Sequence, residues 1–335
     1  MDHILDYTLD SLKKLLSGWD EKPFRADQIF EWIYKRSTLD PQLMINLPKY
    51  LRDRMSAEIR HNPIQVQQVL RSSDGSIKVL FKSKDASFEA VTMPSEDSRN
   101  TFCLSTQFGC AIGCKFCETG TIGFKRNLTA AEIVSQVLEL EKQSGRPDNI
   151  VLMGMGEALL NFQAVDQFIR TISDKKGYEL SRRRITLSTA GLVKELVEFH
   201  KIHPQVELAI SLNAPDEKTR RLIMPNNNLA GFREIMETVK RIDSDVTLEY
   251  VLLEGINSSK QAAESLAKSL KGIKNAKVNL IRYNATSREF SSPSREKALA
   301  FQDVLRASGI ICFMRKSMGS DISAACGQMA GRAVK

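Results

Sequence analysis

Hydrophobic and polar positions alternate with two different periods along the chain. Apolar residues recur at helical spacing through residues 1–60, in the segments SLKKLLSGW, FRADQIFEWIYKRS and LPKYLRDRMSAEI. Residues 65–94 instead show the alternation of strands, interrupted by the turn sequences SDGS and SKDAS. We therefore predict a small helical N-terminal accessory domain over residues 1–60, followed by a strand-rich connector over residues 61–97.

Residues 98–335 contain seven short apolar runs separated by segments of helix length. The runs are TFCLST, NIVLMG, RITLST, VELAISL, VTLEYVLL, KVNLI and GIICFMR. After the first run, Thr129 and Glu132 predict a helix that starts at a capping box, and Gly145 predicts its end. Repeated strand and helix predict an α/β fold with a parallel sheet. Because no Rossmann-type glycine fingerprint follows the first run, we expect a partial or complete (βα) barrel.

Polar residues follow the predicted strands, where the loops of a barrel gather. A cysteine-rich loop follows the first run and GMGE (154–157) follows the second. Ser188 ends the third, SLNAP (211–215) follows the fourth, and Asn284 follows the sixth. We expect these residues to share one site.

Composition and charge fit a globular protein that binds an anionic partner. The chain has 335 residues, 42% hydrophobic and 26% charged, with a net charge of +8. The basic clusters SRRR (181–184) and KTRR (218–221) suit phosphate neutralisation, although a solvated basic surface is the alternative interpretation. The acidic start MDHILDYTLD has no signal-peptide pattern, and no apolar run approaches membrane-spanning length, so we expect a cytoplasmic protein without a membrane partner.

The cysteine loop FGCAIGCKFCETG places Cys110, Cys114 and Cys117 at C-x3-C-x2-C spacing. A structural zinc site normally takes four ligands in two pairs, and neither Cys103 nor a histidine supplies an obvious fourth at a paired spacing. Three thiolates on one loop suit three corners of a [4Fe–4S] cluster and leave the fourth iron open to an exchangeable ligand. This spacing, with Phe116 before the third cysteine, is the signature of the radical-SAM superfamily.

A set of motifs resembles, in order and over nearly the whole chain, the RlmN/Cfr family of radical-SAM RNA methyltransferases, and most closely its RlmN type. The motifs are FEAVTMP, TFCLSTQFGCAIGCKFCETG, NIVLMGMGEALLN, RITLSTAGL, AISLNAPDEKTR, NLIRYN and RKSMGSDISAACGQMAG. EKPFRADQIFEWIYKR resembles the accessory domain of that family. The pairing of the cysteine loop with the downstream AACGQ is more specific than either motif alone.

The resemblance implies a [4Fe–4S] cluster on the three loop cysteines and two molecules of S-adenosylmethionine (SAM) per turnover. It implies that Cys326 is methylated and forms a covalent adduct with RNA, that Cys103 resolves the adduct through a transient disulfide, and that Glu89 is the base. The implied SAM contacts are Gly156, Glu157, Ser188, Ser211, Leu212, Asn213 and Asn284.

The implied substrate is an adenosine of 23S rRNA, with a tRNA adenosine as a second target, and the implied reductant is flavodoxin or ferredoxin. We expect a monomer. We favour methylation at C2 over C8, because RlmN-type members are the commoner kind in the family. The alternatives are Cfr-like methylation at C8, a diverged radical-SAM enzyme with another substrate, and a non-catalytic RNA-binding protein that uses the cluster structurally. The last would need neither Cys103 nor Cys326.

Four features depart from the family pattern. Ala158 stands where proline is usual, Asn213 where histidine is usual, and Glu118 where a small residue is usual. The loop ATSREFSSPS (285–294) replaces a proline-rich one. Glu118 and this loop lie near the expected substrate face, so they bear on RNA specificity.

Overall fold

The computed structural model describes residues 3–331. In this part of the chain no helix combines the length and the apolar composition needed to span a bilayer. The α-helices are α1 (Leu9–Ser17), α2 (Phe24–Lys35), α3 (Lys49–Glu58), α4 (Thr119–Ile122), α5 (Ala130–Ser144), α6 (Phe162–Ile172), α7 (Val193–Ile202), α8 (Glu217–Ile223), α9 (Phe232–Arg241), α10 (Lys260–Leu270) and α11 (Arg295–Ala307). Short 3-10 helices lie at Ile4–Asp6, Pro41–Leu43, Ala158–Asn161, Arg182–Arg184 and Ser320–Ile322.

The strands confirm the predicted α/β class. They are β1 (Gln65–Arg71), β2 (Ile77–Ser83), β3 (Ala86–Pro94), β4 (Asn100–Cys103), β5 (Gln107–Phe108), β6 (Arg126–Asn127), β7 (Asn149–Leu152), β8 (Ile185–Thr189), β9 (Glu207–Ser211), β10 (Val246–Leu252), β11 (Ala276–Arg282) and β12 (Ile311–Arg315). Each predicted apolar run contains one strand of the parallel part, which consists of β4 and β7 to β12.

The main sheet is an open, partial barrel within residues 3–331. Its ten strands run in the order β1-β2-β3-β4-β7-β8-β9-β10-β11-β12, so β1 and β12 are its two ends. The connector strands β1 to β3 are antiparallel and join the parallel part where β3 pairs with β4. The connector thus shares the barrel's sheet, and the division of the chain at residues 60 and 97 stays a prediction.

A loop contact links the two ends of the open sheet. After β12, Asp321 accepts a hydrogen bond from Ser72 Oγ at 2.6 Å, and the Gly319 N–H donates to Asp74 at 2.7 Å. Burial would raise the pKa of Asp74, but the hydrogen bonds it accepts, first that from Gly319, lower it to about 2. The turn between β1 and β2 therefore anchors the segment that follows the last strand.

The N-terminal segment packs on the outside of the barrel. Asp6 accepts a hydrogen bond at 2.8 Å from the N–H of Ala131, in the first turn of α5, where the helix dipole favours a negative charge. In α2, Phe30 and Tyr34 press against Gly177, where a Cβ would lie 3.3 Å and 3.2 Å from their rings. Backbone and core contacts together hold this segment to the barrel.

Helix α5 begins at the predicted capping box. Thr129 Oγ1 accepts from the Glu132 N–H at 3.2 Å, and the Glu132 carboxylate accepts from the Thr129 N–H at 2.9 Å. Both Glu132 oxygens also accept from Arg126, each at 2.8 Å. The predicted end of this helix at Gly145 is confirmed as well.

We expect Thr129→Ala to lower the free energy of unfolding by about 1 kcal/mol, because α5 loses its N-cap acceptor. Thr129→Ser keeps the hydroxyl and should remain close to the parent protein. Urea denaturation of the two variants and the parent, followed by far-UV circular dichroism, measures the difference. Equal stability of the alanine variant would contradict the cap's role.

Candidate active site

The carboxyl ends of the parallel strands surround a cavity of about 910 Å³, counted to its open mouth. This position is where a (βα) barrel gathers its functional loops. Nine of the predicted site residues line the cavity: Cys110, Cys114, Cys117, Gly156, Glu157, Ser188, Ser211, Asn213 and Cys326. The other four, Cys103, Glu89, Leu212 and Asn284, do not line it.

The cysteine loop between β5 and α4 is held in place by its backbone. The Cys110 N–H donates to the carbonyl oxygen of Gly123 at 3.2 Å. A Cβ at Gly109, whose φ is +74°, would lie 1.8 Å from that oxygen, so glycine is required there. The Lys115 N–H donates to the carbonyl oxygen of Ile223 at 2.9 Å, which ties the loop to the end of α8.

The three loop thiols fit a multi-iron cluster. Burial raises the pKa of all three, that of Cys110 to about 12, and the nearby sulfurs of Cys117 and Cys110 add to the increase for Cys114. Coordinated iron would reverse this balance, because a coordinating thiol is deprotonated outright. Within residues 3–331, no three His, Cys, Asp or Glu side chains are placed to hold a single metal ion. Three thiols of one loop that line the same cavity suit three corners of a cluster.

The GMGE turn (154–157) lines the cavity and packs tightly against the residues that precede the cysteine loop. A Cβ at Gly154 would lie 2.6 Å from the Leu104 carbonyl group, and one at Gly156 would lie 2.6 Å from Cβ of Gln107. We predicted that these glycines allow close approach to a cofactor. The structure adds that they allow close approach to the chain segment that leads into the cysteine loop.

Glu157 is buried and already accepts two backbone hydrogen bonds. Its oxygens accept from the Ala190 N–H at 2.6 Å and from the Leu159 N–H at 3.2 Å. Burial raises its pKa to about 7, although these hydrogen bonds oppose the rise. A positively charged ammonium group in the cavity would lower this pKa and favour the ionised carboxylate. The ammonium group of SAM is the partner that we expect for Glu157.

Ser188, Ser211 and Asn213 present small polar groups at the ends of β8 and β9. Asn213 has a φ of +57°, and its side-chain oxygen accepts from the Val251 N–H at 2.9 Å. This amide therefore stabilises the neighbouring strand end, in addition to facing the cavity.

Leu212 differs from its neighbours because its side chain is fully buried in the core. Its carbonyl oxygen accepts from Arg220 Nη1 at 2.7 Å, and that of Ser211 accepts from the same nitrogen at 2.8 Å. Arg220 also donates to the carbonyl oxygen of Ala190. The interpretation of KTRR as a phosphate-binding cluster is thus wrong for Arg220, which is 2% exposed and joins the ends of β8 and β9.

The other basic cluster, residues 181–184, lies at the amino end of β8. The cavity lies at the carboxyl ends of the strands, on the opposite edge of the sheet. Arg183 and Arg184 line a separate surface depression there with Arg99. This cluster is therefore not part of the cavity rim.

Cys326 lies on the loop after β12 and is accessible from the cavity. Asn284 does not line the cavity but donates from Nδ2 to the carbonyl oxygen of Cys326 at 3.1 Å. Burial raises the pKa of the Cys326 thiol to about 11, and the Arg315 guanidinium opposes this rise. Asn284 thus contacts the Cys326 loop, and its contact with the cofactor stays a prediction.

Cys103, at the end of β4, is buried behind the cavity wall. Burial raises the pKa of its thiol to about 12. Arg315 lowers this pKa, and the sulfur of Cys326 raises it, which means that both groups are close enough to interact with Cys103. The structure thus brings the two predicted cysteines into one neighbourhood.

Glu89, on β3, is 1% exposed, so the alternative that it is merely an exposed strand carboxylate is wrong. Its Oε1 lies 3.1 Å from Nζ of the equally buried Lys78, and its Oε2 accepts from the Ala330 N–H at 2.9 Å. Lys78 also donates to the carbonyl oxygen of Ser323 at 3.1 Å. This ion pair holds the Cys326 loop on both sides of the cysteine.

The sequence interpretation missed Arg315, Glu249 and Lys78. Arg315 ends β12 and Glu249 lies in β10, and both line the cavity. Burial raises the pKa of Glu249, whereas Arg315 lowers it. Arg315 could have been found as a polar residue at the end of a predicted strand, but nothing local distinguishes a buried Lys78 from an exposed one.

Two family models match the chain. The model described as "Radical SAM superfamily" matches residues 104–266, and the model "Ribosomal RNA large subunit methyltransferase N-terminal domain" matches residues 3–60. The first range includes the cysteine loop and the polar ends of β7, β8 and β9, and the second is the N-terminal helical region.

Similar proteins match over the full length. "Dual-specificity RNA methyltransferase RlmN" of Campylobacter lari is 40% identical, with 100% of this chain and 99% of that protein aligned. "Probable dual-specificity RNA methyltransferase RlmN" of Clostridioides difficile is also 40% identical, over 97% and 96%. The crystal structure of a radical SAM methyltransferase from Sphaerobacter thermophilus superposes with a TM-score of 0.94 at 39% identity, covering 99% of this chain and 100% of that one.

These matches confirm the resemblance found in the motifs, and membership of the superfamily confirms the two cofactors, a [4Fe–4S] cluster and SAM. The chain belongs to the RlmN family of radical-SAM RNA methyltransferases.

Proposed function

We propose that the enzyme methylates an adenine ring carbon of RNA, C2 in preference to C8, through a methylated Cys326. The observation that carries this proposal is that Cys326 faces the same cavity as the three loop cysteines, with Cys103 in its neighbourhood. A structural cluster in an RNA-binding protein would need neither of these two thiols. Their placement favours a covalent mechanism.

The cavity offers a place for each cofactor. Cys110, Cys114 and Cys117 would hold the cluster, while Glu157 would pair with the ammonium group of SAM and the strand-end polar groups would orient the rest. When bound, the cluster and SAM supply a methyl group and a 5′-deoxyadenosyl radical. The chain's own residues supply the remaining chemistry.

Cys326 solves the problem that an adenine ring carbon is neither acidic nor usefully nucleophilic. Its sulfur accepts the methyl group, and removal of one hydrogen atom leaves a CH2 radical that adds to the ring carbon. The adduct radical then gives up one electron, for which the oxidised cluster would be the acceptor, and loses the ring proton, which Glu89 accepts as the base. Enzyme and RNA are at that point joined through a thioether.

Cys103 releases the product. Its thiolate attacks the sulfur of Cys326, a disulfide forms, and the carbon–sulfur bond breaks with its electron pair on carbon, which takes up a proton to become methyl. The electrostatic effect of Arg315, which lowers the pKa of both thiols against burial, supports this role. A reductant must then reduce the disulfide before the next cycle, which again takes two molecules of SAM.

We propose an adenosine of 23S rRNA as substrate and a tRNA adenosine as a second one. The relatives' printed names, which describe dual-specificity RNA methyltransferases, support this assignment. An adenine must be unstacked to reach the cavity, and the net charge of +8 favours binding of the surrounding phosphates. We also propose that residues 1–60 form an accessory RNA-binding domain. The proposed reductant is flavodoxin or ferredoxin, and we propose that the enzyme is a cytoplasmic monomer.

The product identifies the reaction. We expect the anaerobically reconstituted protein, given reductant, SAM and either a 23S rRNA fragment or tRNA, to form 2-methyladenosine, measured by nucleoside mass spectrometry. A peak of 8-methyladenosine would instead assign the Cfr-like reaction. Formation of 5′-deoxyadenosine with neither nucleoside would mean that this chain acts on another substrate.

The covalent step predicts different behaviour of the two cysteine variants. Cys103→Ala should accumulate RNA bound through Cys326, because release lacks its attacking thiol, whereas Cys326→Ala should neither accept methyl nor cross-link. Denaturing gels under turnover conditions measure the adduct, and Cys312→Ala is the control for loss of an uninvolved buried thiol. No RNA-bound band with Cys103→Ala would overturn the thioether mechanism.

The buried ion pair predicts a large stability difference between single and double variants. Lys78→Met leaves the Glu89 carboxylate buried without its cation and should lower the free energy of unfolding by about 3–5 kcal/mol. Lys78→Met combined with Glu89→Gln removes both charges and should recover part of this loss. Chemical denaturation measures the stability of both variants. A double variant less stable than Lys78→Met alone would refute the coupling between the two charges.

A further inference from the structure

Glu118, the residue after the third loop cysteine, binds the loop that follows β11. Its side chain is buried, with 7% of the residue exposed. Oε2 of the carboxylate accepts from the Ser287 N–H at 3.0 Å and from Ser287 Oγ at 2.8 Å, and Oε1 lies 3.0 Å from the same Oγ. One serine thus supplies two donors to one carboxylate, an arrangement that a small residue at position 118 could not form.

The backbone around Glu118 holds a second segment, the Cys326 loop. The Glu118 N–H donates to the carbonyl oxygen of Gly327 at 2.7 Å, and Thr119 Oγ1 donates to that of Met329 at 2.6 Å. Main chain and side chain of the same short turn therefore bind two different loops.

The two loops also bind each other. Asn284 donates to the carbonyl oxygen of Cys326 at 3.1 Å, and Gln328 Nε2 donates to that of Ala285 at 2.8 Å. Arg288 Nε reaches back to the carbonyl oxygen of Lys115, in the cysteine loop, at 2.9 Å. Glu118 lies where all three loops meet, so its contact with Ser287 sets the position of the 285–294 loop relative to Cys326.

We propose that Glu118 and Ser287 form a clamp that fixes the 285–294 loop at the rim of the cavity in the position where RNA binds. This inference rests on the proposed function, and it makes Glu118 a positioning residue rather than a catalytic one. Two observations support it. The loop contacts the segment that carries Cys326, to which the adenine must come, and its Arg288, which donates to the cysteine loop, is exposed and can contact phosphate.

The clamp is separate from the bonds that hold Cys326 itself. Changes in the Glu118 or Ser287 side chain leave the Glu118 N–H, Thr119, Lys78 and Glu89 to hold the Cys326 loop. Methylation of Cys326 by SAM should therefore continue when binding of RNA is weakened. This difference distinguishes the clamp from a general structural role.

The test compares Glu118→Ala, Ser287→Ala and the double variant with Glu289→Gln, which removes an exposed charge from the same loop. Hydrogen exchange of residues 285–292 is measured in the cluster-loaded protein without RNA. We expect exchange about tenfold faster in each single variant, as loss of a charge-assisted hydrogen bond implies. The double variant should exchange no faster than the faster single one, because both changes remove the same contact.

KM and kcat for RNA are measured on the same proteins. Peptide mass spectrometry measures the methylation of Cys326. We expect the KM for RNA to rise about tenfold in the clamp variants, with kcat and Cys326 methylation within about twofold. The KM of Glu289→Gln should not rise, because this change removes a negative charge and keeps the clamp. Ser287→Ala tests the clamp away from the cluster ligands, and the visible absorbance of each variant verifies that its cluster is present.

The outcomes separate this inference from the proposed function. Unchanged exchange in both single variants would overturn the clamp, and faster exchange with an unchanged KM would overturn its role in RNA binding. If the parent chain produces no methylated nucleoside, the proposed function fails together with the RNA role, while the exchange data still decide whether the clamp exists.

Discussion

The buried ion pair between Lys78 and Glu89 holds the loop that carries Cys326, the thiol that we propose accepts the methyl group. Removing two charges from water carries a large desolvation cost, which is offset only when the remaining donors and acceptors are also bonded. Here those partners are the Ser323 carbonyl oxygen and the Ala330 N–H, which flank Cys326. The electrostatic requirement of the pair thus becomes a positional constraint on the Cys326 loop.

Features that depend on residues close together in the sequence were predictable from it. The seven strands, the capping box at Thr129 and the cysteine loop are encoded in short stretches, and the structure has each of them. Features set by residues distant in sequence were not. Glu89 is buried because of a segment some 240 positions away, and Arg220 is buried because the ends of two strands need a shared donor. The openness of the barrel is likewise a property of pairing between strands.

Burial raises the pKa of the thiols and carboxyl groups that line the cavity, because it disfavours their charged forms. Examples are Cys110, Cys326, Glu157 and Glu249. Arg315 counteracts this at Cys326 and at Glu249. The walls therefore favour neutral groups until a cation or metal arrives, which suits a site that must bind an iron cluster and a sulfonium cofactor.

The loop that links the ends of the open sheet has a consequence for the order of folding. Its contacts with the turn between β1 and β2, and with β2 and β3, join residues about 245 positions apart, and such distant contacts are the last to offset the entropy of loop closure. The chain emerges from synthesis with the cysteine loop well before Cys326. We therefore expect Cys326 to enter the cavity after the other strands have paired, so that the proposed active site is completed late in folding.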